Sequence, residues 1–258
     1  MIEARGISVH AGRRKLIDDV SFGIAPGRVT ALLGPNGAGK STIISVLSGE
    51  KRPDAGRVEI DGAAMQEMQP LWLARRRAVL LQNSSLDFAF TAAEVVSLGR
   101  LPFTATEDAL DDDEALMAAR RIAGIEPLWE QLYQTLSGGE RQRVQFARAL
   151  AQIWRRKRDG GPRYLFLDEP TSALDLRHRR SILAAVRDLA GEGIGVLAVL
   201  HDLNLAADFA DDVVLLREGR VLAKGPKDEI LNERDLSDCF EVPVEIVVRP
   251  GGTAAILA

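Results

Sequence analysis

The chain has 258 residues, with 33 Lys and Arg against 37 Asp and Glu, giving a formal net charge of −4. At 46% hydrophobic and 27% charged it has the composition of a soluble globular protein of one or two domains. Its slight acidity argues against a protein that coats nucleic acid. The single cysteine, Cys239, excludes a disulfide framework, a Cys-type zinc site and covalent haem attachment within the chain, which fits a reducing compartment. The opening MIEARGISVH lacks the basic-then-apolar pattern of a secretory signal, and no apolar run approaches the ~18 residues of a spanning helix. A soluble intracellular chain is therefore expected, one that reaches any membrane through a partner.

In chain order, residues 2–9, 16–24 and 57–60 read as short strands of an antiparallel flap. Val29–Leu33 is a wholly apolar run of the kind buried on both faces, and a helical segment, 40–48, follows it. The block from about 85 to 158 carries almost no strand signal. Within it, residues 106–123 read as one helix. Glu107, Asp108, Asp111, Asp112 and Asp113 lie near its start, Arg120 and Arg121 near its end, and Gly124 supplies a stop. A calcium loop over the three aspartates lacks the ligand spacing and the turn glycine. Apolar strands at 164–167, 194–200 and 212–216 then alternate with helical segments at 177–190 and 203–208. That alternation predicts an α/β fold with a largely parallel sheet, an antiparallel β flap and an inserted α-helical subdomain.

The stretch Gly34-Pro35-Asn36-Gly37-Ala38-Gly39-Lys40-Ser41-Thr42 fits the P-loop pattern and lies between a strand and a helix, as that pattern requires. Its glycines let backbone N–H groups curl around a phosphate at a helix N-terminus. Lys40 supplies a point charge for β- and γ-phosphates, the Ser41 hydroxyl suits Mg²⁺, and Thr42 adds a donor. A phosphate-bearing ligand and Mg²⁺ are implied. A partner carboxylate is expected at the end of another buried strand, and Asp168 and Glu169 follow Tyr164-Leu165-Phe166-Leu167. Asp168 suits the metal, while Glu169 is free to orient or deprotonate a water. His201 closes a further apolar strand, as a γ-phosphate sensor or as a structural residue. Leu136-Ser137-Gly138-Gly139-Glu140 precedes a helix, and its spacing fits either a helix cap or a second anion site.

Taken in order, the P-loop at 34–42, Gln82 after a strand, LSGGE at 136–140, YLFLDE at 164–169, SALD at 172–175 and His201 resemble the ATP-binding subunits of ABC transporters over nearly the whole chain. The resemblance implies a P-loop NTPase core at 1–84 and 159–235, a helical subdomain at 85–158 and a short C-terminal tail at 236–258, all one ABC ATPase domain. It implies that Gln82 contacts Mg²⁺ or the attacking water, with Ser41 and Asp168 as the other Mg²⁺ residues. Ser137, Gly138, Gly139 and Glu140 would meet the ATP of the opposite subunit. Glu169 would be the general base, Asp175 the interface aspartate and His201 the switch histidine. The family stacks adenine on an aromatic residue shortly before the P-loop. Here that stretch reads Val9-His10-Ala11-Gly12, where His10 is a weak substitute.

The likeness is closest to ATPases of iron-siderophore, cobalamin and haem importers, and within them to hemin import members, through residues 90–100, 150–176 and 195–211. The basic loop at 154–163 favours haem, though a solvated surface loop has the same composition. The implied partners are a second copy of the chain, an integral-membrane permease dimer touched through residues 82–100, and indirectly a periplasmic substrate-binding protein. The implied place is the cytoplasmic face of the bacterial inner membrane. No nucleic acid is expected, although soluble ABC ATPases of nucleic-acid or iron–sulfur metabolism are the alternative class.

Overall fold

The computed structural model describes residues 1–82, 88–104, 106–154, 160–248 and 254–257. The chain divides into two compact units, Met1–Met68 with Gly195–Ala258, and Gln69–Ile194.

The first unit opens with β1 (Ile2–Ala11) and β2 (Arg14–Ile24), which alternate apolar and polar residues, followed by β3 (Val29–Leu33), buried at all five positions. Helix α1 (Lys40–Leu47) buries Ile43, Ile44, Val46 and Leu47, and β4 (Ala55–Ile60) and β5 (Ala63–Ala64) complete this segment. Strands β2, β1, β4 and β5 form, in that order, the expected antiparallel sheet.

The second unit contains α2 (Pro70–Ala74), β6 (Arg77–Leu80), α3 (Ala92–Ser97), α4 (Asp112–Ile122), α5 (Gly138–Ile153), β7 (Arg163–Asp168) and α6 (Leu176–Gly191). Helix α5 presents Val144, Phe146, Ala147, Leu150 and Ala151 to the interior and packs on α3, α4 and β6. Strands β6 and β7 run parallel, with Leu80 beside Leu167.

The predicted helix over 106–123 is shorter in the structure. Residues Glu107–Asp111 form a 3₁₀ turn, and the α-helix starts at Asp112. The cause is local. The Thr106 hydroxyl, the natural cap, donates instead to the Phe103 carbonyl at 2.6 Å. Buried Arg100 anchors the true start by donating to Asp112 Oδ1 at 2.6 Å. The other end follows the prediction. Gly124 takes φ +62°, its N–H donates to the Arg121 carbonyl, and the Ile125 N–H donates to the Arg120 carbonyl, the paired bonds of a Schellman cap.

The first unit resumes with β8 (Ile194–Val199), α7 (Leu203–Phe209), β9 (Asp212–Arg217), β10 (Arg220–Pro226), α8 (Lys227–Ile230), α9 (Glu233–Phe240) and the hairpin β11 (Glu245–Val248) and β12 (Ala254–Leu257). Strand β3 lies between β8 and β9, parallel to both, and β10 pairs with β9 antiparallel. Asn204 of α7 holds the hairpin by exchanging two hydrogen bonds, 2.9 and 2.8 Å, with the backbone of Ile256.

Candidate functional site

Each unit carries one group of the predicted residues. In the first unit, β3 ends at Leu33 and the glycine loop 34–39 leads into α1. Gly39 caps α1 in the left-handed conformation without a side-chain cap bond, so the first-turn N–H groups point at the loop, the arrangement that attracts an anion. The loop itself turns through Ala38 N–H donating to the Pro35 carbonyl at 3.2 Å. Lys40 is 7% exposed, and its Nζ donates to the carbonyls of Gly34 (2.8 Å) and Pro35 (3.0 Å). The ammonium thus stands over the loop that was expected to cradle phosphate. Asn36, Gly37 and Ser41 are exposed, Ala38 is buried and Thr42 is half-buried.

His201 belongs to the same edge by register. Leu32 of β3 pairs with Val199 of β8, so Gly34 and His201, each two residues on, leave adjacent parallel strands at their carboxyl ends. That end is where open α/β sheets bind ligands. His201 is exposed there. His10 stands at the end of β1, with Nδ1 3.1 Å from Asp54 Oδ2 and its backbone N–H donating to the same oxygen at 2.6 Å. Those two bonds, the backbone one foremost, hold the Asp54 carboxyl below the usual carboxylate range.

In the second unit, the same register logic brings Gln82 and Glu169 together. Leu80 pairs with Leu167, and two residues further on Gln82 Nε2 donates to Glu169 Oε2 at 2.8 Å. Asp168 ends the fully buried β7 and is itself buried. Glu169 then turns into the left-handed region at φ +51°, unusual for a residue with a side chain. Its carbonyl accepts from Ser172 N–H (3.3 Å), Ser172 Oγ (3.2 Å) and Gln142 Nε2 (2.9 Å).

Ser137 is the N-cap of α5 and forms a capping box with Glu140. Glu140 Oε2 accepts from Ser137 N–H at 2.8 Å and from Ser137 Oγ at 2.7 Å, and these bonds hold its carboxyl below the usual range. Of the loop, Ser137 and Gly138 are exposed, whereas a Cβ on Gly139 would stand 2.7 Å from the Ala173 carbonyl. Asp175 caps α6, accepting from His178 N–H at 2.8 Å, and the His178 ring Nδ1 lies 2.9 Å from both its oxygens. The His178 backbone bond, then the ring, keep the Asp175 carboxyl below the usual range.

Sequence reasoning did not single out Gln142 or His178. The Ser137–Glu140 bond was legible as a Ser-x-x-Glu capping box before a helix. Gln142 offered no such signal, because its partners lie 27 and 31 residues away. Residues 83–87, within the predicted permease contact, and 155–159, within the basic loop, lie outside the described residues.

Comparison with known proteins adds the following. The ABC transporter family model matches residues 17–172. The hemin import ATP-binding protein HmuV of Agrobacterium fabrum is 46% identical over 242 residues, covering 94% of this chain and 92% of that protein. That of Gloeobacter violaceus is 46% identical over 250 residues, covering 97% and 90%. Among solved structures, a metal-chelate type ABC transporter in an inward-facing conformation superposes with TM-score 0.79 at 25% identity, covering 99% of this chain and 96% of that one. A dimeric bacterial ABC transporter cassette gives TM-score 0.76 at 26% identity, covering 88% and 98%.

Proposed function

Since the chain belongs to the ABC transporter family and is an ATP-hydrolysing subunit of it, we propose that its hydrolysis drives import of hemin through a separate membrane permease. The observation that carries the substrate is the near full-length likeness to hemin import ATP-binding proteins. Among the described residues no helix is long and apolar enough to cross a membrane. The likeness to import ATP-binding proteins supports a peripheral place on the cytoplasmic face.

The local geometry supports the assignment of roles. The loop Gly34, Pro35, Asn36, Gly37, Ala38, Gly39 offers N–H groups to the phosphates, with Lys40 as the point charge and Thr42 as a further donor. Glu169 takes the proton of the attacking water, and Gln82, already bonded to it, orients that water. His201 serves the γ-phosphate from the neighbouring strand end. The Ser41 hydroxyl, the Gln82 amide oxygen and the Asp168 carboxylate are each hard oxygen donors of the kind that would hold Mg²⁺, which when bound would offset the charge of the phosphates.

Two copies are proposed to pair, as the dimeric cassette supports, and to do so head to tail, so that Ser137, Gly138, Gly139 and Glu140 meet the ATP held by the opposite copy. Asp175 then lies at the pairing surface. The permease contact is placed on residues 82–100, where Phe88 is 70% exposed with its ring centroid 6.0 Å from that of Phe90. A periplasmic substrate-binding protein takes part indirectly, and nucleic acid does not.

The test is ATP-dependent uptake by the chain reconstituted with its permease in vesicles, comparing hemin, a ferric siderophore and cobalamin. Hemin alone should accumulate, and only with ATP. Uptake of the siderophore or cobalamin in place of hemin overturns the substrate, and recovery of the chain on DNA or ribosomes without a permease overturns the transport role.

A further inference from the structure

We infer that Gln142 is a positioning residue that ties the anion-binding end of α5 to the general base of its own subunit, and so makes hydrolysis at one ATP answer to contact with the other. This rests on the head-to-tail pairing proposed above. Gln142 lies on α5, five residues beyond its cap Ser137. Its amide is used at both ends, Nε2 donating to the Glu169 carbonyl at 2.9 Å and Oε1 accepting from the Ala173 N–H at 3.3 Å. Only a side chain with a donor and an acceptor side by side satisfies both. Gly139 packs close beside it, since a Cβ there would stand 2.7 Å from the Ala173 carbonyl oxygen. The start of α5 and the turn 169–174 are therefore bonded through the Gln142 amide and in close contact at Gly139.

The fastened turn is the strained one. Glu169 sits at φ +51°, a conformation that persists only where surrounding bonds hold it. Ser172 of the same turn donates to its carbonyl through N–H and Oγ, and Gln142 of α5 donates to it as well. Gln142 thus reaches that carbonyl from outside the turn. A phosphate docking on Ser137–Gly139 adjusts the end of α5, and the Gln142 amide carries that adjustment to the backbone of Glu169. The carboxylate moves with that backbone. In a head-to-tail pair the docking phosphate belongs to one ATP and the positioned Glu169 serves the other. The two sites should therefore fire cooperatively through this bond.

The measurement is steady-state ATPase of the chain in its permease complex, wild type against Gln142→Met and Gln142→Glu, with thermal unfolding run in parallel. Methionine keeps the length and loses both bonds. Glutamate keeps the acceptor for Ala173 and loses the donor to Glu169. Both should lower kcat by about tenfold, the loss of one net hydrogen bond from the transition state, and bring the Hill coefficient toward 1. The KM for ATP should stay within about twofold, since the phosphate loop is untouched. In a Glu169→Gln background, Gln142→Met should still form an ATP-dependent dimer by light scattering. Wild-type kcat and cooperativity in a folded variant overturn the inference, as does loss of the ATP-dependent dimer, which would mark a structural role at the pairing surface. If Gln142→Met does not fold, Gln142→Glu decides on the same readouts. A Glu169→Gln chain that stays monomeric with ATP refutes the pairing itself, and the coupling with it, an outcome distinct from failure at Gln142.

Discussion

At Cys239 a single buried atom makes stability depend on pH. The thiol is fully buried on α9 and its Sγ approaches the Leu216 carbonyl at 3.7 Å. Burial pushes it up to about 11 from an ordinary 9.0. Unfolding returns the thiol to water, where it ionises at the lower value, so the unfolded state sheds its proton first as pH rises. Stability from this group is complete below pH 9 and declines through about 11. Denaturant melts across that window should show the decline, and Cys239→Ala should flatten it; an equal slope in the variant would remove Cys239 as the cause. The same burial predicts slow reaction with thiol reagents at neutral pH. Sequence alone counted this cysteine and excluded disulfides, yet gave no sign of its burial, which comes from α9 packing on β9. Lys40, Glu169 and Ser137 were legible because their motifs are contiguous in sequence. Gln142 and the His178 ring were not, because each acts on a group whose position is set by a turn or cap rather than by a repeating pattern.

Among the elements, α4 shows which signals are local. Its charge order and its stop at Gly124 were readable, since both depend on residues within one or two turns. Its start was misplaced by several residues, because the decisive bonds reach outside the helix, from Thr106 back to Phe103 and from Arg100 to Asp112. Gly124→Ala forces a Cβ into φ +62° and disturbs the Schellman bonds. A loss of about 1 kcal/mol is expected, read as a lower denaturation midpoint with unchanged slope. An unchanged midpoint would mean that the cap contributes nothing. The strands were easier. β3, β7 and β8 are buried at every position, and a continuous apolar run bounded by turns announces itself without any partner being known. Register was not readable, yet register is what brings Gln82 to Glu169 and His201 to the glycine loop.

Taken whole, the molecule is an ATPase whose proposed pairing predicts a simple behaviour. Glu169→Gln removes the proposed proton acceptor while leaving the phosphate loop intact. It should retain ATP binding by calorimetry, lose turnover by a factor of about a thousand or more, and shift to dimer on addition of ATP. Turnover at the wild-type rate would refute the base assignment. The division into units adds a consequence in the order of synthesis. The unit Gln69–Ile194 is one unbroken stretch, whereas the other unit is assembled from the first 68 residues and the last 64, from Gly195 onward. Strand β3, which carries the glycine loop, has β8 and β9 as its neighbours, and both are translated after the whole of Gln69–Ile194. On the ribosome the helical unit can close while β3 still waits for both flanking strands. The glycine loop leaves the exit tunnel before the helical unit and gains its flanking strands only after it, so a nascent chain truncated before residue 212 should carry the motif without a place to hold it.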